Sequence, residues 1–216
     1  MKKFAFILAG CGGFDGTEIH EATYSFLACK QFDCEYKCFS INKQQKIVKN
    51  TITREIVNEN RNLLVESARL AKNGIEDIKN LNVDDFDVLF FPGGLGSAIN
   101  ISTYYTDGEN YEVDESVKEI ILKFKEQNKP ICAVCIAPMI LNKVLSGIEI
   151  TLGNDKNITE IVEKSGNKHI NTESGNICVD EKNRIFTSPC FMLTKNPAVV
   201  YEEVYKIVKS VVDIVK

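Results

Sequence analysis

The sequence predicts an α/β fold, a three-layer sandwich in which a mostly parallel sheet lies between layers of helices. Two observations predict it. Runs such as FAFILA (4–9) and VLFF (88–91) are apolar at successive positions, which is typical of strands buried on both faces. Segments with helical spacing of apolar residues, such as 114–129, separate these runs. Because alternating strands and helices form parallel βαβ units, helices are expected on both faces of the sheet.

The elements predicted in the first half of the chain are, in order, strand 4–9, helix 18–31, strand 35–40, helix 58–74 and a strand within 87–94. The first and last of these strands are continuously apolar, whereas the middle one alternates. Both helices have an apolar stripe, and Asn73-Gly74 is a helix stop signal. Pro92-Gly93-Gly94 ends the last strand.

The elements predicted in the second half are helix 114–129, strand 130–134, helix 136–145, a short strand 149–152, a hairpin across 176–189 and helix 196–216. Asp114 is a suitable N-cap for the first helix. The hairpin is expected to turn at 181–183. The packing stripe expected for the last helix consists of Val200, Val204, Ile207, Val208, Val211 and Val212.

Composition places the whole chain, residues 1–216, in one globular domain. It is 44% hydrophobic and 26% charged, with a formal net charge of −4 and no cluster of basic residues, so no nucleic-acid partner is expected. No apolar stretch approaches the roughly 20 residues of a membrane span, so no membrane partner is expected. The run after the first two lysines is too short for a signal peptide, which predicts a cytoplasmic protein.

The eight cysteines do not predict a metal site or a disulfide framework. They are scattered through apolar segments, and only two histidines accompany them, whereas a structural zinc usually has four converging Cys or His ligands. Cys132 and Cys135 form a Cys-x-x-Cys pair between Pro130 and Pro138. A thioredoxin-like pair would open a helix, but here the first cysteine lies within the strand 130–134. We expect neither a metal nor a cofactor.

Cys135 differs from the other cysteines because it follows a buried strand and precedes a helix. A residue on such a turn exposes its side chain at the end of the sheet, and the helix N-terminus favours a thiolate. The sequence therefore predicts a nucleophile elbow at Cys135, with another buried cysteine as the alternative.

Two groups of motifs resemble a known family. VCIAPMIL (134–141) and PGGLGSAIN (92–100) resemble the PfpI and class I glutamine amidotransferase-like superfamily, which implies a flavodoxin-like fold. The resemblance is narrower, and runs nearly end to end, to its ElbB branch, also called sigma cross-reacting protein or isoprenoid biosynthesis glyoxalase. The motifs that carry it are ILAGCGGFDGTEIHEA (7–22), NKQQ (42–45), ENRNLLVESAR (59–69), ICAVCIAP (131–138) and DEKNRIFTSPCFML (180–193).

The resemblance implies roles for individual residues. Cys135 would be the nucleophile, and Glu21 the carboxylic acid that hydrogen-bonds its thiolate. Glu18 lies three residues earlier on the same helical face, so the two carboxylates are expected to hold one proton between them. The backbone N–H groups of an oxyanion hole would come from Gly93, Gly94 and Ile136.

The sequence departs from the superfamily pattern at the catalytic histidine. Many members have a histidine about twenty residues after the nucleophile, where this chain has Asp155. Cys11 and His20 are expected to line the pocket, although His20 projects about 100° away from Glu21 on the helix. His169 is expected to be structural or on the surface.

The resemblance implies a cofactor-independent glyoxalase that converts small α-oxoaldehydes, such as glyoxal and methylglyoxal, into hydroxy acids through a hemithioacetal on Cys135. This chemistry requires a thiolate and an acid but no histidine. The alternatives are a redox or carbonyl-stress sensor or interaction protein that uses the same cysteine, and a glutaminase-like subunit, against which the absent histidine argues. A homodimer is expected, with a small aldehyde as the other partner.

Overall fold

Seven strands form one sheet in the computed structural model, which describes residues 1–72 and 74–214. The sheet order is β3-β2-β1-β4-β5-β9-β8. Its neighbours pair in parallel except for β8, which is an antiparallel edge strand beside β9. The strands are β1 (Lys3–Ile7), β2 (Glu35–Ser40), β3 (Ile75–Asp77), β4 (Val88–Phe91), β5 (Ile131–Val134), β8 (Cys178–Asp180) and β9 (Ile185–Ser188). The predicted three-layer α/β fold, flavodoxin-like and class I glutamine amidotransferase-like, is confirmed.

The helices cover the two faces of this sheet. α1 and α7 pack against each other on one face, and α4 packs with α5 on β4 and β5. The helices are α1 (Ile19–Gln31), α2 (Leu63–Ala71), α3 (Tyr104–Asp107), α4 (Glu115–Glu126), α5 (Pro138–Val144), α6 (Lys156–Lys164) and α7 (Pro197–Ile214). Of the described helices, none combines the length and apolar character that crossing a membrane requires.

Capping side chains fix the first residues of α2 and α4. The helix predicted over 58–74 begins at Leu63, because the side chain of Asn62 accepts a hydrogen bond from the N–H of Val65 and caps the first turn. Asn73 of the predicted stop signal lies outside the described residues, as do positions 215 and 216 of the last helix. Asp114 caps α4 as predicted, since its side chain accepts from the N–H of Ser116.

The segment between the predicted strand at 149–152 and the hairpin holds structure that the sequence patterns did not indicate. The predicted short strand is β6 (Glu149–Ile150), whereas its parallel partner β7 (Lys168–His169) and the connecting α6 were not predicted. This small sheet is separate from the large one. The predicted hairpin is confirmed as the antiparallel pair β8 and β9.

The core lies between the sheet and its helices. The ring of Phe6 on β1 contacts Phe26 of α1 edge to face, with centroids 5.0 Å apart, and Phe90 of β4 at 4.9 Å. The predicted stripe of α7 is buried except for the half-buried Val212. β1 and β4 are neighbours in the sheet, although the chain forms β2 and β3 on the other side of β1 before it reaches β4. The direction of strand order therefore reverses between β1 and β4, and α/β folds bind ligands at the carboxyl ends of the strands at such a switch point.

Candidate active site

The turn that follows β5 carries Cys135. Its φ of +59° lies in the left-handed region, which is strained for a residue with a side chain. The N–H of Cys135 donates to the carbonyl of Ser188 at the end of β9, at 2.8 Å, and ties the turn to that strand. α5 begins shortly after, with Pro138 in its first turn. The structure thus places Cys135 on a strand-to-helix turn, where the residue is 8% exposed.

Two backbone N–H groups face the sulfur of Cys135. They belong to Gly94, after β4, and to Ile136, the residue after the cysteine, and both lower the pKa of the thiol. Gly94 has a φ of +97°, a conformation that side-chain-bearing residues rarely adopt. The two N–H groups can therefore stabilise negative charge on the sulfur, or on an oxygen of a molecule bound to it.

Glu21 lies on the other side of the sulfur. It projects from α1, is fully buried, and its Oε1 accepts a hydrogen bond of 3.4 Å from the N–H of Phe191. Within the described residues, no donor of good geometry reaches Oε2. Burial, and next the charge of Glu18, raise the pKa of Glu21 to about 8. Glu21 is therefore mostly a neutral acid at pH 7.

Gly93 separates the acid from the nucleophile. A Cβ built on Gly93 would overlap the Cβ of Cys135 and the Oε2 of Glu21. The N–H of Gly93 faces Glu21, whose pKa it lowers, whereas the N–H of Gly94 faces the sulfur. The absence of a side chain at Gly93 thus allows the two reactive groups to approach each other.

Cys135 and Glu21 titrate as a coupled pair. Burial, and next the negative charge of Glu21, raise the pKa of the Cys135 thiol above its ordinary value. The charge effect is absent while Glu21 holds its proton. The first proton lost from the pair therefore leaves one negative charge and one proton shared between a thiol and a carboxyl group.

Glu18 caps the helix that carries Glu21. Its Oε2 accepts a hydrogen bond of 2.8 Å from the N–H of Glu21, and its Oε1 lies 2.9 Å from Nδ1 of His20. The carboxylates of Glu18 and Glu21 are thus close, as the spacing predicted, but Glu18 is held by the backbone and by His20. The imidazole of His20 is exposed and contacts the Phe191 ring edge to face at 5.8 Å.

Family membership follows from residues 13–191, which match the model of the DJ-1/PfpI family. The chain belongs to the DJ-1/PfpI family. The matched segment contains Cys135, Glu21 and the two glycines of the Pro-Gly-Gly turn. The superfamily resemblance found in the motifs is therefore confirmed.

Two DJ-1/PfpI-like proteins are similar over nearly the whole of this chain. A human protein, "Glutamine amidotransferase-like class 1 domain-containing protein 3, mitochondrial", is 33% identical over 222 residues, covering 98% of this chain and 83% of its own. The crystal structure of an isoprenoid biosynthesis protein with an amidotransferase-like domain from Ehrlichia chaffeensis has a TM-score of 0.93 at 35% identity, covering 100% of both chains. This similarity confirms the narrower resemblance. The cytoplasmic location and the homodimer stay predictions.

A third similarity shows the fold alone. The crystal structure of glyoxalase III from Candida albicans has a TM-score of 0.63 at 17% identity, covering 99% of this chain and 97% of that one. DJ-1/PfpI architecture is therefore shared with a protein named as a glyoxalase.

In this DJ-1/PfpI chain, Cys135 lies in a cleft of about 750 Å³. Cys11 and His20 line this cleft, as the sequence predicted, together with Glu18, Gly94 and Ile136. Burial raises the pKa of the half-buried Cys11 thiol. The sequence patterns did not identify the other lining residues, which are Gly12, Gly13, Phe14, Ile19, Thr51, Leu95, Phe191 and Met192.

Asp155, where the superfamily resemblance implied a histidine, serves another purpose here. Asp155 caps α6, where its side chain accepts from the N–H groups of Asn157 and Ile158. His169 is buried on β7, and its Nε2 accepts a hydrogen bond of 3.1 Å from the N–H of Leu152, so it is structural as expected. Residues 1–72 and 74–214 contain no group of three or more His, Cys, Asp or Glu side chains that could hold a metal ion.

Proposed function

We propose that the protein is a cofactor-independent glyoxalase that converts small α-oxoaldehydes into hydroxy acids. The observation that carries the proposal is the position of the Cys135 sulfur, which lines the cleft between two backbone N–H groups and the fully buried, protonated Glu21 behind it. The shared fold with a protein named glyoxalase III supports it.

The first step would form a carbon–sulfur bond. The Cys135 thiolate attacks the aldehyde carbon, and the N–H groups of Gly94 and Ile136 stabilise the negative charge on the aldehyde oxygen. Glu21 then donates its proton to that oxygen. The product is a hemithioacetal, and Glu21 is left as a carboxylate.

The second step would move a proton between adjacent carbons. The Glu21 carboxylate removes the C–H proton of the hemithioacetal, the hydroxyl proton moves to the neighbouring oxygen of the resulting enediolate, and Glu21 returns the first proton to the neighbouring carbon. The former aldehyde carbon is oxidised and its neighbour is reduced, so no external electron carrier is needed. Water then cleaves the thioester, which releases the hydroxy acid and restores Cys135.

The direct test is turnover of glyoxal by purified protein without glutathione or metal. We expect one glycolate for each glyoxal consumed, and an acid quench should reveal a mass increase on the peptide that contains Cys135. Absence of hydroxy acid above a heat-inactivated sample, from glyoxal and from longer 2-oxoaldehydes alike, would refute the proposal. In that case, peroxide oxidation of Cys135 would test the sensor alternative, and release of glutamate from glutamine would test the glutaminase alternative.

The pH dependence of turnover provides a second prediction. Below the pKa of about 8 given by burial and Glu18, the coupled pair holds both protons and lacks a thiolate. The kcat/KM for glyoxal should therefore rise about tenfold per pH unit up to about pH 8 and then level off. Initial rates between pH 5.5 and 9.5 would check this. A profile with its midpoint near pH 6 would contradict the protonation state assigned to Glu21.

A further inference from the structure

We infer, on the basis of the proposed function, that the favoured substrates are 2-oxoaldehydes with an alkyl group of several carbons rather than glyoxal itself. Glyoxal has four non-hydrogen atoms, whereas the cleft measures about 750 Å³, within the range of about 300–1,000 Å³ that accommodates drug-sized ligands. The cleft therefore leaves room beside the reacting carbons.

The walls of the cleft select the chemistry of the extra group. Apart from glycines and the reactive residues, most of the lining is apolar, contributed by Phe14, Ile19, Leu95, Ile136, Phe191 and Met192. Ile19 is 46% and Met192 36% exposed, so part of this apolar surface stays open to a ligand. Burying it against an alkyl chain is favourable, at about 0.8 kcal/mol per methylene.

The charges in the cleft exclude another class of substrate. Among the lining residues in the described part of the chain there is no lysine or arginine, and Glu18 places a carboxylate at the wall. A phosphate or carboxylate on the substrate would find no lysine or arginine in the lining and would face the like charge of Glu18, since the guanidinium of Arg54 is outside the lining and stacks on the Phe14 ring, 4.5 Å from its centroid. An uncharged alkyl group is thus favoured over an anionic one.

The experiment is a chain-length series of unbranched 2-oxoaldehydes from two to six carbons. We expect kcat/KM to rise about threefold per added methylene, the factor that partial burial of each group provides. Met192→Ser should reduce this dependence. The matched control is Leu122→Ser, because Leu122 is 37% exposed but lies on α4, outside the cleft.

The outcomes separate this inference from the proposed function. If glyoxal is converted and kcat/KM is flat or falls with chain length, the alkyl preference is wrong and the glyoxalase proposal stands. If no member of the series is converted, the glyoxalase proposal itself fails. An anionic oxoaldehyde that outperforms the alkyl compound of equal length would also overturn the inference.

A second inference concerns a buried carboxylate behind the site. Glu203 lies on the apolar face of α7, between Val200 and Val204, and is fully buried. A buried carboxylate is costly unless hydrogen bonds compensate. Its Oε1 accepts from the N–H of Gly175 at 2.6 Å.

The other oxygen of Glu203 holds the turn that follows β9. Oε2 accepts a hydrogen bond of 2.7 Å from the N–H of Cys190 and a further one from the hydroxyl of Ser188. Cys190 has a φ of +43°, a strained conformation for a residue with a side chain. Glu203 therefore stabilises a backbone conformation that the turn would not favour alone.

The same turn touches both reactive residues. The carbonyl of Ser188 accepts the N–H of Cys135, and the N–H of Phe191 donates to Oε1 of Glu21. We propose that Glu203 is a positioning residue, which fixes the turn 188–191 and through it the relative placement of Cys135 and Glu21. It does not touch the reacting atoms.

The test compares Glu203→Leu, Glu203→Gln and the matched control Glu202→Leu, whose side chain is on the exposed face of the same helix. The readout is the pH dependence of Cys135 alkylation by iodoacetamide, followed by mass spectrometry of its peptide, with no aldehyde present. The N–H of Phe191 lowers the pKa of Glu21, so displacing this N–H group should move the midpoint of Cys135 alkylation to higher pH. Three charged or titratable groups surround the Cys135–Glu21 pair. Glu18 acts on Glu21, Cys190 interacts with both members of the pair, and Glu203 interacts with Cys190.

We expect a raised midpoint in Glu203→Leu, a partial return in Glu203→Gln and no change in Glu202→Leu. The kcat/KM of a turned-over aldehyde should fall about 30-fold in Glu203→Leu, in line with losses on misplacing reactive groups. If both Glu203 variants keep the wild-type midpoint, the positioning role is wrong, even if their thermal stability falls. Should Glu203→Leu fail to fold, the midpoint of Glu203→Gln decides alone. Because alkylation needs no aldehyde, this test stands apart from the glyoxalase proposal.

Discussion

Replacing Cys135 with alanine is expected to lower glycolate formation from glyoxal by about 10⁴-fold or more, because the carbon–sulfur bond can no longer form. The alanine variant keeps the turn and its hydrogen bond to the Ser188 carbonyl, since that bond uses backbone atoms. The measurement is the initial rate with glyoxal at pH 8, together with circular dichroism to verify folding.

Cys132→Ala is the matched control for this prediction. Cys132 lies on the same strand, three residues earlier, and is fully buried in the sheet. Its loss should reduce the free energy of unfolding by about 1 kcal/mol and leave turnover nearly unchanged. If Cys135→Ala retained more than a tenth of the wild-type rate, the thiolate mechanism would be wrong.

Glu21→Gln should have opposite effects on activity and stability. Turnover is expected to fall about 10²- to 10³-fold, because the amide cannot transfer a proton. The free energy of unfolding at pH 8 should rise by about 3–4 kcal/mol, because the variant no longer buries an ionisable group.

The sign of the stability effect follows from the direction of the pKa shift. The pKa of Glu21 is about 8 in the folded protein and 4.5 as an ordinary glutamate, so the folded state keeps a proton that the unfolded chain releases. The contribution of Glu21 to stability is therefore lost as pH rises from about 4.5 to 8. In urea unfolding at pH 5, 6.5 and 8, the free energy of unfolding of Glu21→Gln should increase relative to that of the wild type as pH rises. A constant difference across that range would contradict the raised pKa.

The sequence predicted the fold well where burial governs the pattern. A strand that is apolar at successive positions must be buried on both faces, which requires a layer of helices on each side of the sheet. The three layers therefore follow from the apolar pattern of the strands. It failed where a single side chain decides, as at Asn62, which delays the start of α2. α6 was missed because it is short and mostly polar, with Val162 as its fully buried residue.

The candidate site was predictable only in its local parts. Cys135 and Glu21 each lie in a motif, whereas the contact of Phe191 with Glu21 joins residues 170 positions apart and has no local signature. Glu203 did leave a signal. It interrupts the apolar stripe of α7, three residues after Val200 and four before Ile207, where a charge is costly unless it is bound.

The hydrogen bond from Phe191 to Glu21 has a consequence for biosynthesis. α1 and the turn that carries Cys135 are synthesised before the 188–191 turn, which is fixed by Glu203 on α7. Cys135 and Glu21 therefore cannot reach their final geometry on the ribosome before residue 203 has emerged. Contacts of such large sequence separation form late in folding. A nascent or truncated chain would carry Cys135 as an ordinary thiol, and the coupling of its proton to that of Glu21 would arise only after α7 docks.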